Sequence, residues 1–263
     1  MGILNATPDS FSDGGKFRTP SDAIAQAERM IADGADLIDI GGESTRPGAE
    51  PVSLQEELDR VLPVIEALKD CGVALSIDTY KAETMRQALS IGVDCVNDIW
   101  ALRQEGAVEV IIESDQLNPN KQCGLILMHM QRDPQTMQFD PDYQDVIEEV
   151  KQFLQERSQL LQEKGVAQNR IAIDPGFGFG KSLEHNLKML ADFDQFSQLG
   201  YAVLAGMSRK SMLGKLTGRD TNDRVAPSVA AAILAADRAA RIIRVHDVQE
   251  TVDSLKLWEA IQE

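Results

Sequence analysis

Cysteine is scarce in this chain, and what there is does not pair. Cys71, Cys95 and Cys123 are an odd number, far apart and without a CxxC motif. A small disulfide scaffold is therefore excluded, and reduced, mostly buried thiols are expected. Histidine is equally sparse: His129, His185 and His246 are widely separated and no HExxH occurs, which argues against a zinc hydrolase. Long apolar runs are missing, and the longest weakly polar stretch, 225–236, is too short to cross a bilayer. Basic charge is in deficit, 26 Lys and Arg against 42 Asp and Glu for a net of −16. That balance excludes general binding to nucleic acid or to an anionic membrane, both of which need a basic face, but it permits a local basic pocket. The N-terminus lacks the basic, apolar, small-residue order of a leader, so a cytoplasmic location is expected. No linker, low-complexity tract or charge block divides the 263 residues, and a single domain, 1–263, is expected.

What is present is one recurring unit. A short apolar run ends in a polar residue, a loop follows, and then an amphipathic stretch. The runs are 2–5, 37–41, 74–78, 95–98, 124–129, 171–174, 202–208 and 242–246. Helical periodicity covers 22–32, 53–69, 81–91, 104–113, 143–164, 183–196, 225–236 and 248–262, the second opening on Ser53 and Glu56 at capping-box spacing. Strict alternation of this kind predicts a parallel sheet flanked by helices, and eight units in a chain of this length predict an α/β fold, a single (β/α)₈ TIM barrel. Its active site is expected at the C-terminal strand ends. Those ends are Asn5, Glu43 with Ser44, Asp78, Asn97 with Asp98, His129, Asp174, Ser208 and His246, all polar or ionisable. About three of them are expected to do no more than cap the following helix.

Three constellations bear on chemistry. The string Gly176 to Ser182, GFGFGKS, suggests a phosphate loop but fails it, because GxxxxGKS requires glycine where Pro175 stands, and GxGxxG fails too. It reads instead as a loop with Phe177 and Phe179 forming an aromatic wall or buried packing. Asp78, Asn97 and Asp174 end three strands and need partners at that depth. A planar heterocycle with an amino-amide edge satisfies them, and so does a structural network. Lys210, Arg244 and His246 follow the seventh and eighth strands, the usual phosphate site of such barrels, and make a cationic pocket in an acidic protein. Lys210 also fits a Schiff-base role. The long loops 6–15 and 41–48 are candidate lids or ordinary solvent loops.

At these residues the sequence closely resembles the dihydropteroate synthase family. MGILNATPDSFSDGG (1–15), GADLIDIGGESTRPGA (34–49), SIDTYKA (76–82), CVNDI (95–99), IDPGFGFGKSLEHN (173–186), GMSRKS (206–211) and RVHDV (244–248) match its successive motifs in order along nearly the whole chain, and pterin-binding methyltransferases share part of them. The resemblance implies condensation of 6-hydroxymethyl-7,8-dihydropterin pyrophosphate with 4-aminobenzoate, giving 7,8-dihydropteroate and pyrophosphate in folate biosynthesis. It implies that Asp78, Asn97, Asp174, Lys210 and Arg244 hold the pterin. Asn5, Thr45, Arg244 and His246 would bind pyrophosphate, with Asn5 helping to coordinate Mg²⁺. Phe11, Arg46, Pro47, Phe179 and Ser211 would line the aminobenzoate site. Asp13, Lys210, Arg244 and His246 would act in catalysis, Asp13 from the first lid. The implied chemistry is dissociative: pyrophosphate leaves once neutralised, the pterin stabilises the methylene cation, and the aniline attacks without a covalent enzyme intermediate. A homodimer is expected from the family, and segment 225–236 with the last helix either forms its interface or packs on the barrel.

Family members usually carry a short segment before the first motif, which here starts at Met1. The chain is therefore expected to be naturally short or truncated, with the top-face site retained. The second loop shows no insertion beside Pro47 of the kind found in sulfonamide-insensitive relatives. Two other readings compete. A methyltransferase domain accounts for Asp78, Asn97 and Asp174 but leaves the SRKS and RVHD segments unused. A non-catalytic pterin-binding protein retains the pterin carboxylates but needs none of Asn5, Asp13 and the cationic set.

Overall fold

A computed structural model describes residues 1–6, 20–44, 50–137 and 139–262. Strands and helices alternate along the chain: β1 (Gly2–Asn5), α1 (Pro20–Ala32), β2 (Leu37–Gly41), α2 (Leu54–Leu68), β3 (Ala74–Asp78), α3 (Ala82–Ile91), β4 (Cys95–Asp98), α4 (Ala107–Leu117), β5 (Gly124–Met128) and α5 (Val146–Glu163). There follow β6 (Ile171–Asp174), α6 (Leu183–Ala191), α7 (Asp194–Ser197), β7 (Ala202–Ala205), α8 (Ser211–Thr217), α9 (Val225–Ala236), β8 (Ile242–Ile243) and α10 (Val248–Ala260). The strands form one eight-stranded parallel sheet in sequential order. Beyond β8 the chain returns to β1: the Ile3 N–H donates to the Val245 carbonyl at 2.9 Å, and the Val245 N–H to the Met1 carbonyl at 3.0 Å.

Side chains alternate across each strand, so the sheet sorts residues onto two faces. Leu4, Ile38, Ile40, Leu75, Ile77, Leu125 and Leu127 pack outward against α1 to α4. A second cluster joins Ile173, Val203 and Ala205 to α5, α6, α9 and Phe177, Phe193 and Phe196. The opposite face is lined low down by Ile126, Ala172 and Leu204 and higher up by polar residues. Register sets that polar layer, pairing Gly41 with Asp78, Asp78 with Asn97, and Met128 with Asp174.

Local signals agree with the helices that form. The Ser53 hydroxyl accepts the Glu56 N–H at 3.2 Å and Asp145 accepts the N–H groups of Ile147 and Glu148, which caps α2 and α5. Three expectations are corrected. The expected helix 183–196 divides into α6 and α7. The strand expected over 202–208 stops at Ala205, and α8, absent from the sequence reading, follows it. Among the described residues no helix is long and apolar enough to cross a membrane.

Candidate active site

The C-terminal strand ends surround a cavity of about 310 Å³, whose wall includes Asn5, Glu43, Asp78, Phe179, Lys210, Ser211, Arg244 and His246. At its base Arg244, just past β8, is clamped by two carboxylates. Its Nε donates to Asp39 Oδ2 and its Nη2 to Asp78 Oδ2, each at 2.6 Å. Asp39 stands in the middle of β2, fully buried, and its Oδ2 also accepts the Asn97 amide at 3.0 Å. Its Oδ1 has no hydrogen-bond partner among the described residues. Burial opposes the arginine's charge, but Asp39 and Asp78 outweigh it and hold the pKa above its ordinary value. Burial pushes the Asp78 carboxyl up to about 7 against the pull of Arg244, and Asp39 adds to the rise.

Asp174 ends β6 and is buried, its Oδ1 accepting the Gly176 N–H at 2.7 Å. Burial raises its pKa, and Lys210 opposes the rise. Lys210 lies across the cavity wall. Its ammonium donates to the Phe177 carbonyl and sits 4.6 Å from the centroid of the Phe179 ring. Burial lowers its pKa to about 8, partly offset by Asp174. The preceding Arg209 adopts a left-handed φ of 57°, held by its ion pair with Asp247 and by its N–H donating to the Ser228 hydroxyl at 2.9 Å. That kink sends Arg209 toward Asp247 and Lys210 toward the Phe177 carbonyl and the Phe179 ring. His246 is oriented by Ser208, whose hydroxyl accepts the His246 N–H at 3.1 Å and lies 3.0 Å from the ring Nδ1.

Asn5, Asp78, Phe179, Lys210, Ser211, Arg244 and His246 thus share one wall, with Asn97 and Asp174 joined to it by hydrogen bonding and charge. Phe11, Asp13, Thr45, Arg46 and Pro47 lie outside the described residues. Three strand-end residues do other work. His129 is buried against Phe153 and Tyr143 and receives the Lys181 ammonium. Asp98 caps its own turn through the N–H groups of Trp100 and Leu102 at 2.7 and 2.8 Å. Glu43 faces the cavity but is tied to Lys81 and to the Tyr80 hydroxyl. The aromatic pair splits: Phe177 is fully buried and stacked on Phe193, while Phe179 is the wall. Sequence reasoning missed Asp39, although a lone carboxylate inside the run LIDIG is a signal, since charge is rare in a strand covered on both faces.

A parallel α/β sheet with buried carboxylates beside a cationic group at its C-terminal edge defines a small-molecule enzyme rather than a docking module. The family model described as "Pterin binding enzyme" matches residues 1–246. The dihydropteroate synthase of Haemophilus influenzae is 46% identical over 263 residues, covering 99% of this chain and 92% of its own. The Burkholderia cenocepacia dihydropteroate synthase, solved with 7,8-dihydropteroate, is 51% identical with a TM-score of 0.88, covering 99% and 90%. That of Xanthomonas albilineans, solved with 4-aminobenzoic acid, is 49% identical with a TM-score of 0.91, covering 99% and 92%. The chain belongs to the pterin-binding enzymes and, within them, to the dihydropteroate synthase family.

Proposed function

We propose that this protein condenses 6-hydroxymethyl-7,8-dihydropterin pyrophosphate with 4-aminobenzoate, releasing 7,8-dihydropteroate and pyrophosphate as a transferase of folate biosynthesis. The observation that carries this reading is the meeting of two chemistries in one cavity. Buried carboxylates suited to a donor-rich heterocycle edge, Asp78 and Asp174, stand beside Arg244, Lys210 and His246, which suit a polyanionic leaving group. Asp174 and Asp78, with Asn97, hold the pterin. His246 and Arg244 face the pyrophosphate, where cations favour the charge that develops as the C–O bond breaks. The cation left on the pterin methylene is captured by the aniline nitrogen of aminobenzoate, oriented by Phe179 and Ser211, and as the C–N bond forms the nitrogen gives up a proton to the released pyrophosphate. By resemblance Thr45, Arg46, Pro47, Phe11 and Asp13 complete the site from the two long loops, Asp13 favouring the developing positive charge.

Magnesium fits as a companion of the pyrophosphate. It takes oxygen ligands and usually binds through one or two protein groups plus substrate phosphates. Among the described residues no cluster of His, Cys, Asp and Glu could hold an ion, and nothing hydrogen-bonds the Asn5 amide, which faces the cavity. Asn5 would hold the ion, which when bound neutralises the leaving group.

The same reading takes the chain as one domain, a closed (β/α)₈ barrel, supported by the hydrogen bonds between Val245 and β1. A homodimer through α9 and α10 is supported by the exposed Leu234, Leu257 and Ile261. A cytoplasmic location suits the substrates. The test is pyrophosphate release from the pterin ester, with and without 4-aminobenzoate, alongside chromatography of dihydropteroate. Release that requires 4-aminobenzoate is expected. A pterin-binding protein that releases none would overturn the proposal.

A further inference from the structure

The lysine of the GFGFGKS string does not face the cavity. Lys181 is 4% exposed and its ammonium points beneath the loop that joins β6 to α6. It lies 2.9 Å from His129 Nδ1, 3.0 Å from the Gly176 carbonyl and 3.0 Å from the Phe179 carbonyl, with the His129 carbonyl at 3.4 Å. Burial pushes the Lys181 pKa well below its ordinary value, with Asp174 opposing the fall. The three short contacts leave the nitrogen no capacity for a further partner, so its hydrogen bonds are used up inside the loop. The two loop carbonyls it gathers lie on either side of Gly178. On the other side Lys210 draws in the Phe177 carbonyl and lies over the Phe179 ring.

The backbone is built for this grip. Gly176 has a φ of +74°, and a Cβ there would lie 2.0 Å from the His129 carbonyl, so only glycine lets the loop sit on the end of β5. Asn186, also buried, closes the other flank. Its Oδ1 accepts the Gly178 N–H at 2.7 Å while its Nδ2 donates to the Ser182 carbonyl at 2.6 Å. His129 completes the cage as an uncharged acceptor, wedged between Phe153 and Tyr143. Burial and the adjacent Lys181 both hold its pKa well below the ordinary value.

We infer that Lys181 is a positioning residue that acts through Phe179, with His129 as its anchor, fixing the aromatic wall against which the second substrate binds. It touches no substrate itself. The inference rests on the proposed aminobenzoate role of Phe179, and it separates the two substrates: the pterin groups Asp78, Asn97 and Asp174 sit on strands, whereas Phe179 depends on the loop that Lys181 gathers. Lys181→Met keeps the length of the side chain and removes the nitrogen with its hydrogen bonds. It is expected to raise KM for 4-aminobenzoate roughly tenfold, the scale of one lost hydrogen bond, with KM for the pterin ester changed less than about twofold. In a double-mutant cycle with Phe179→Ala, the aminobenzoate effects are expected not to add, because both act through one ring.

Calorimetric binding of the pterin alcohol reports whether each variant folds. If Lys181→Met does not fold, His129→Gln, which keeps an acceptor but carries it one bond further from the backbone than Nδ1, is read the same way and is expected to move KM for 4-aminobenzoate alone. An unchanged KM for 4-aminobenzoate in a folded variant overturns the inference, as do equal losses for both substrates or additive effects in the cycle. Failure of the functional reading looks different: the unmodified protein itself then forms no dihydropteroate.

Discussion

Replacing Asp39 by Asn removes one of the two carboxylates that clamp Arg244. Asp39 is fully buried and accepts the guanidinium Nε at 2.6 Å, so water screens the pair only from the cavity side of the arginine. Removing one partner of a buried ion pair costs about 3–5 kcal/mol, because the remaining charge stays out of water. Asparagine keeps the shape and one acceptor oxygen, and Asp78 still holds Nη2. The cost is therefore expected at the lower end, about 3 kcal/mol. For a chain of this size each kcal/mol moves Tm by about 2–4 °C, giving a fall of roughly 6–12 °C. Thermal unfolding of the ligand-free protein at neutral pH measures this directly. A second consequence concerns Asp78, whose carboxyl is raised to about 7 in part by Asp39. In the variant that contribution disappears and its pKa falls, which carboxylate infrared absorption would follow across the neutral range. A Tm within about 2 °C of the parent, with the Asp78 titration unmoved, would refute the view that Asp39 and Arg244 are a buried ion pair governing the pocket.

Three other substitutions probe the rest of the cavity. Asp174→Asn replaces a carboxyl acceptor by an amide that presents a donor to a donor-rich edge, so calorimetry should show pterin affinity weakened by about 1.5–3 kcal/mol; unchanged affinity would remove Asp174 from the site. For Asp78 the sign follows from its raised pKa: the folded state keeps a proton between the ordinary carboxylate range and about 7 that the unfolded chain has lost, so this group's contribution to stability declines as pH rises through that window. The stability difference between the ligand-free parent and Asp78→Asn should therefore shift in favour of the variant from about pH 4 to about pH 7, and denaturant titrations with a constant difference would contradict it. On the proposed role of His246 at the leaving group, His246→Ala should weaken binding of the pyrophosphate ester more than that of the free pterin alcohol; equal losses would mark a structural role.

The alternation of the fold is readable because apolar strands and amphipathic helices each carry a period, and 225–236 is read from sequence with the same bounds as α9. Where the period is too short to register, the reading fails. The seven residues of α8 show less than two full turns, and α7 is four residues that appear only as the tail of a longer helix. The site is legible where polar residues interrupt apolar strands at their ends, as at Asp78, Asp174 and Arg244. Asp39 escapes that rule because it sits mid-strand, and its importance depends on an arginine 205 residues away. His129 satisfies the rule and is nonetheless a loop anchor, because a strand end reports height along the sheet and not the direction its side chain takes above the last hydrogen-bonded pair. Lys181 misleads for the opposite reason: its neighbours suggest phosphate, while three positive-φ glycines turn the loop back over it.

The charge balance of the cavity bears on how the proposed site would select a pyrophosphate ester in an acidic chain. The two basic side chains deepest in it are already spoken for: Arg244 lies between Asp39 and Asp78, and Lys210 is held by the Phe177 carbonyl and the charge of Asp174. A free phosphate entering such a site meets cations whose fields are largely cancelled, so little electrostatic attraction remains for it. A pterin edge changes this balance. Its N–H groups give the carboxylates new donors, and part of the field that Arg244 and Lys210 direct at Asp78 and Asp174 becomes available to whatever is attached to the pterin. Recognition of the heterocycle and stabilisation of the leaving group are then coupled through shared carboxylates rather than assembled from two independent subsites. That coupling favours the ester over either of its halves, and it places the largest gain where negative charge grows as the C–O bond breaks, which is the condition for binding energy to appear as rate.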